Sequence, residues 1–349
     1  MMKKRVLIGM SGGVDSSTVA VILQNQGYEV VGVTFQFIED FDASDAVKVA
    51  NKLNIEHHVE DYRKEFKERV INPFINNYIN GLTPNPCVIC NRKCKFNYLF
   101  ECMEKYNCDY IATGHYAKIE NNKLYRSKDR LKDQSYFLCE IEKENLSKIL
   151  FPLEGLTKDE VREIAKENGL INYNKKDSFD VCFINTSFRE FMLKNSNNST
   201  GDVVNIENNK IIGKHNGLMN YTIGQRKGLN IGGNEDKIYV VGKDLEKNIL
   251  YIAMGENNDY LISDSCIVDN VNYLGDEKIN KCSAKFRYRQ NDIDVEVEWI
   301  DEDRVLVKYP QGVKSVTPGQ VCVFYNGEEC LGGGFIREVR KNNEKLWFL

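Results

Sequence analysis

Between residues 292 and 299 polar and apolar side chains alternate without a break. Asp292, Asp294, Glu296 and Glu298 fall on one side, Ile293, Val295, Val297 and Trp299 on the other. A period of two predicts a half-buried strand. Residues 304–309, 320–325 and 329–336 continue the pattern, with turns expected at Gln311-Gly312 and Asn326-Gly327. Short strands at this spacing predict a small barrel or sandwich. The first half reads differently. Apolar runs rich in branched residues at 5–10, 29–35, 55–59 and 110–113 predict buried strands, and 16–26, 43–53 and 64–80 predict helices, the first stopped by Gly27. This βαβ rhythm implies a parallel sheet covered by helices on both faces, with a ligand crevice at the carboxyl ends of its strands. Thr157-Lys158-Asp159-Glu160 is a capping box opening a helix that Gly169 should stop. The polar stretch 194–209, with Asn195, Ser196, Asn197, Asn198 and Ser199, reads as a linker or long turn. The expected class is α/β, with a parallel-sheet domain over 1–195, a small mixed domain over 196–264 and a C-terminal β-barrel over 265–349.

Composition narrows this picture. A chain of 349 residues suggests two or three domains. A net charge of −4 excludes a generally basic, histone-like binder but permits a local basic face. Strand spacing over 281–290 places Lys281, Lys285, Arg287 and Arg289 on one side, which would suit a phosphate backbone, and Gln225-Arg226-Lys227 is a second candidate. No apolar run approaches the ~18 residues of a membrane helix, and the opening MMKKRVLIGM is too short in apolar length for a signal peptide. With 11 cysteines, an odd number, the expectation is free thiols in a reducing cytoplasm and no membrane association.

Two segments carry candidate chemistry. Gly9-Met10-Ser11-Gly12-Gly13-Val14-Asp15-Ser16 lies between a predicted strand and helix. Its glycines let backbone amides approach a polyanion, and the helix N-terminus can hold phosphate. Neither a GxxxxGK[ST] nor a GxGxxG pattern is present. The proline-punctuated segment Thr83-Pro84-Asn85-Pro86-Cys87-Val88-Ile89-Cys90-Asn91 presents two thiols, and Asp177–Ile184 presents Cys182. A nearby cation or helix end could lower a thiol pKa and make a nucleophile. Two thiols brought together could pass sulfur as a persulfide and close a disulfide. No metal ligand is assigned, since zinc would need a second ligand pair. An iron–sulfur cluster on Cys87, Cys90 and Cys182 stays open as an alternative. Cys102, Cys108, Cys139, Cys266, Cys282, Cys322 and Cys330 read as small buried hydrophobes.

The glycine octapeptide resembles the pyrophosphate loop of N-type ATP pyrophosphatases, which adenylate a substrate and release pyrophosphate. The chain as a whole resembles the bacterial tRNA-specific 2-thiouridylases. The matching segments are GMSGGVDSS at Gly9, TPNPCVICN at Thr83, ATGHY at Ala112, KDQSYFL at Lys132, DSFDVCFI at Asp177, GLMNYTIGQRKGLNIGG at Gly217, RYRQ at Arg287 and TPGQVCVFYNGEECLGGG at Thr317. They run in family order from end to end. The resemblance implies ATP at Gly9, Met10, Ser11, Gly12, Gly13, Val14, Asp15 and Ser16, with Phe35 and Gly114 near the nucleotide and Asp15 helping to place Mg2+. Cys90 would be the nucleophile and Cys182 the persulfide carrier. Asn85, Pro86 and Cys87 would meet the target base, and His115, Lys132, Asp133, Gln134, Arg287, Tyr288 and Gln320 would touch tRNA.

The implied activity is ATP-dependent 2-thiolation of the wobble uridine of Lys, Glu and Gln tRNAs. A cysteine desulfurase or sulfur-relay protein would be the sulfur donor. The family often carries an acidic residue where Cys87 stands and methionine where Phe35 stands. A small-molecule ligase would not need the two thiols, and a non-catalytic tRNA binder would not need SGGVDS.

Overall fold

The computed structural model describes residues 3–176, 181–196, 199–229 and 237–349. Asp177, Ser178, Phe179 and Asp180, the first half of the Cys182 segment, lie outside them, as does the end of the Gly217 segment from Asn230 on.

Five parallel strands form the first sheet: β1 (Arg5–Gly9), β2 (Glu29–Gln36), β3 (Glu56–Asp61), β4 (Tyr110–Ala112) and, after the hairpin strands β5 (Lys118–Glu120) and β6 (Lys123–Tyr125), β7 (Ile149–Leu150). Their spatial order is β3-β2-β1-β4-β7. β1 is central and carries Val6, Leu7 and Ile8, all fully buried, as expected for a strand covered on both faces. Helix Val14–Asn25 follows β1, and helix Lys158–Glu167 packs beside it through Val161 and Ala165. The capping box at Thr157 is complete, and Gly169 takes a positive φ of 61° just beyond the helix. The helix expected over 64–80 occupies 63–79, with a π-helical stretch at Lys67–Ile71.

The middle sheet contains β8 (Thr200–Asn205), β9 (Lys210–Asn216), β10 (Ile238–Asp244) and β11 (Ile249–Met254), in the order β10-β11-β8-β9. The polar stretch 194–209 is therefore not all linker. Val203 and Val204 within it are buried against β11, so their burial outweighs the surrounding asparagines.

The last part is a barrel of β12 (Ile262–Tyr273), β13 (Lys281–Lys285), β14 (Ile293–Trp299), β15 (Val305–Lys314), β16 (Val321–Asn326) and β17 (Glu329–Lys341), closed by pairing of β12 with β17; β18 (Glu344–Lys345) adds to β17. β14 buries Val295 and Val297 and exposes its acids, as the alternation required. The expected turn at Gln311-Gly312 instead lies inside β15, where pairing with β12 shifts register between Ser263 and Ser265. The basic strand ends at Lys285. Its lysines pair with acids of and just before β14, with Lys281 at 3.2 Å from Glu296 and Lys285 at 3.8 Å from Asp292. The β5–β6 hairpin of the first half pairs with β17, which joins the parallel-sheet domain to the barrel.

Candidate active site

The loop after β1 closes on itself. Met10 N–H donates to the Val33 carbonyl at 2.7 Å, fixing the loop at the carboxyl end of the sheet. The Ser11 and Ser16 hydroxyls lie 3.3 Å apart, and Ser17 donates to the Gly13 carbonyl at 2.9 Å. Gly12 has φ +71°, and a Cβ there would sit 3.0 Å from the Asp45 Cβ, so the position requires glycine. Gly13 precedes helix Val14–Asn25 and no side chain caps that helix, leaving its first-turn amides to water or an anion. Gly114 presses on the same helix start: a Cβ would lie 2.8 Å from Ser16 N.

The cradle has cations that the sequence did not reveal. Lys158 Nζ lies 2.7 and 2.8 Å from the two Asp15 oxygens, and the Tyr116 hydroxyl donates to the first at 2.8 Å. As placed, Asp15 does not fit a magnesium ligand, because its oxygens are engaged by an ammonium and a phenol. Lys175 contacts the Gly12 carbonyl at 3.3 Å and Asp45 at 2.8 Å. The buried Asn172 amide donates to Gly12 and Ser17. Phe35, at the end of β2, stands in an aromatic cluster with Phe37, Tyr62 and Tyr98.

The thiol segment is held by both accessory domains. Thr83 N–H donates to the Pro318 carbonyl at 3.0 Å, Gln320 Nε2 donates to the Thr83 carbonyl at 2.7 Å, and Lys243 Nζ reaches the Gly81 carbonyl at 3.2 Å. Asn85 then caps a helix by accepting from Val88 N–H, and Pro86 occupies its first turn. Cys90 is buried, whereas Cys87 is exposed. Cys90 shares one apolar cluster with Phe183, which in turn packs on Phe66 and Phe74. Phe183 thereby anchors its exposed neighbour Cys182 beside the Cys90 helix.

Burial pushes the Cys90 thiol up to about 12; Lys95 opposes that, and Cys182, Cys94 and Cys87 add to it. Cys87 and Cys182 are also raised. Both are exposed to solvent on one side, yet protein crowds them on the others, and that desolvation is the largest effect on each. The expectation of lowered thiol pKa values is thus reversed, since burial outweighs the nearby lysine. Among the described residues no group of three or more His, Cys, Asp or Glu side chains is placed to hold a metal ion, so the three thiols do not fit an iron–sulfur cluster here.

Several residues expected to meet tRNA are engaged inside the protein. His115 is buried, with Nδ1 2.7 Å from Thr113 Oγ1 and Nε2 3.3 Å from Lys95 Nζ; burial holds its pKa well below the usual histidine range. Asp133 is buried and accepts from Ser127 and Ser135. Gln134 accepts from Tyr116 N–H. Arg287 Nη2 donates to the carbonyls of Ile223 and Ser315 and to Thr317, bridging middle domain and barrel. Tyr288 packs on Phe137 with ring centroids 4.4 Å apart. Lys132 lies on a loop whose Lys132 and Leu131 amides donate to Asp129. Arg226 and Lys227 are exposed.

Three family descriptions match the chain in succession: "tRNA methyl transferase HUP domain" over 4–186, "tRNA methyl transferase PRC-barrel domain" over 189–254 and "Aminomethyltransferase beta-barrel domain" over 263–336. Among curated relatives, the tRNA-specific 2-thiouridylase MnmA of Acholeplasma laidlawii is 45% identical, with 99% of each chain covered. The proteins of the same name from Bacillus licheniformis and Bacillus subtilis are 44% and 42% identical, each with 99% of this chain and 98% of the relative covered.

Proposed function

The chain belongs to the tRNA-specific 2-thiouridylases, ATP-using tRNA sulfurtransferases, and from that premise we propose that it replaces the C2 oxygen of the wobble uridine of Lys, Glu and Gln tRNAs with sulfur. The C2 carbonyl is amide-like and its oxygen a poor leaving group. Adenylation at that oxygen, with loss of pyrophosphate, converts it to AMP. The terminal sulfur of a Cys182 persulfide attacks C2 and expels AMP. The Cys90 thiolate then attacks the Cys182 sulfur, freeing 2-thiouridine and closing a Cys90–Cys182 disulfide. An external dithiol must reduce that disulfide, and a desulfurase or sulfur-relay protein must reload Cys182. Alternatively Cys90 attacks first and releases hydrosulfide, which adds at C2.

The observation that carries this reading is spatial. Cys90 and the Cys182 anchor Phe183 share a cluster, and Lys95, His115 and Gly114 connect that cluster to the Asp15–Ser16 turn. That chain of contacts supports activation and sulfur transfer at one site. Asn85, Pro86 and Cys87 form the N-terminal end of the thiol helix, where the exposed Cys87 could meet a splayed base. Arg226 and Lys227 are exposed and suited to the RNA backbone, the half-buried Lys132 is a further candidate, and Asp133, Arg287 and Gln320 would act through the internal bonds described above. The test is mass spectrometry of nucleosides from unmodified tRNA incubated with protein, ATP and a sulfane-sulfur source. 2-Thiouridine at the wobble position is expected. Pyrophosphate release without thiolated nucleoside would overturn the reading.

A further inference from the structure

The helix bearing Cys87 and Cys90 runs without a break from 86 to 105, but its hydrogen bonding changes along the way. Pro86–Cys90 and Phe96–Lys105 are α-helical, whereas Asn91–Lys95 is π-helical, with Phe96 N–H bonded to the Asn91 carbonyl five residues back. In an α-helix residues five apart diverge by about 140° around the axis. The wider π turn returns residue i+5 toward residue i, and such insertions recur at functional sites. The insertion therefore turns Lys95 to the side of Cys90 instead of swinging it away. There Lys95 Nζ approaches His115 Nε2, on the segment that presses on the nucleotide-loop turn.

The charged surroundings single out the same residue. Lys95 acts on Cys87, Cys90 and Cys182 alike. Among the described residues, the other groups that act on Cys90 are the thiols of Cys94, Cys87 and Cys182. Arg69 and Lys93 act on Cys94, Arg92 is paired with the buried Glu140, and His115 is kept neutral by burial.

We propose that Lys95, turned inward by the π turn, is the cation that stabilises the sulfur anions of this site, the Cys90 thiolate and the terminal sulfur of a persulfide on Cys182. This rests on the sulfur-transfer reading above. A thiol in so crowded a place ionises poorly unaided. An ammonium nearby offsets that cost. The proton leaves to solvent on the open side, where Cys87 and Cys182 are exposed.

The test needs neither ATP nor tRNA. Full-length Lys95→Met and Lys95→Gln are compared with parent and Lys95→Arg for iodoacetamide alkylation of Cys90 and Cys182, resolved site by site by peptide mass spectrometry at fixed pH. Circular dichroism and Tm establish that each variant is folded. The neutral variants should alkylate about tenfold more slowly at pH 8, and Lys95→Arg should recover most of the rate. Unchanged rates in either folded neutral variant would overturn the proposal. Slowed alkylation in a protein that makes no 2-thiouridine would count against the sulfur-transfer reading and leave the role of Lys95 standing.

Discussion

Both carboxylate oxygens of Asp15 lie within 2.8 Å of the ammonium of Lys158, and this pair stands at the mouth of the nucleotide cradle. An isolated carboxylate there would repel a triphosphate. The lysine cancels that charge and adds a donor able to turn toward phosphate oxygens. Lys158 is itself fixed, because it opens the capped helix after Thr157 and its backbone N–H donates to Asp129.

Lys158→Met should therefore weaken ATP binding roughly tenfold to a hundredfold, the scale of one or two charge-assisted hydrogen bonds. Thiol alkylation should be unaffected. Equilibrium dialysis with labelled ATP measures the first quantity, and an unchanged Kd would remove Lys158 from the phosphate site.

Cys90→Ser and Cys182→Ser should each lower tRNA thiolation by on the order of a hundredfold or more, since a serine hydroxyl can neither carry a persulfide nor close a disulfide. ATP binding should stay within about twofold of the parent, because the cradle is built from other segments. Thiolation at the parent rate in either variant would exclude the two-thiol scheme.

What was legible in the sequence was local. Burial on both faces of β1, alternation in β14 and the capping box at Thr157 depend on neighbours in the chain, and all were readable. The Asp15–Lys158 pair was not, because a lysine in the first turn of a helix gives no sign of which distant carboxylate it will meet. Lys95 was hidden for another reason: no periodicity encodes a π insertion. The two lysines of the basic face expected around Lys281 are paired with Glu296 and Asp292, because strand spacing describes one strand and does not say which neighbours its charges will meet. Phosphate-loop glycines and paired thiols stood out since their chemistry demands rare residue types. The internal bonds of Arg287 and Gln320 depend on domain packing, which no local pattern records.

Gly319 ties the barrel to the thiol segment. It has φ +89°, and a Cβ there would lie 2.9 Å from both the Leu82 Cβ and Thr83 N. Gly319→Ala must strain its own backbone and push the chain leading to Cys87. A stability loss of about 1–3 kcal/mol is expected, with a several-fold fall in thiolation kcat and little change in ATP affinity. Thermal denaturation and steady-state thiolation check both parts. Parent values for both would show that the clamp is dispensable.

Glu140 supplies a pH signature. Its side chain has no solvent exposure, its Oε2 accepts from Arg92 at 2.5 Å, and its Oε1 is buried without a partner. Burial raises its pKa from 4.5 to about 7, with Arg92 opposing. Because the folded value lies above the unfolded one, the folded protein binds more protons between these limits. Stability from this group is present below about pH 4.5 and is lost as pH rises through 7. The full swing is roughly 3 kcal/mol, at 1.36 kcal/mol per pKa unit. Glu140→Gln keeps an acceptor for Arg92 and removes the titration. Denaturant unfolding at intervals from pH 5 to 8 should therefore show a shallower decline in the variant than in the parent, with the variant the more stable of the two at pH 8. Parallel curves would mean that Glu140 is ionised throughout and that Arg92 compensates its burial in full.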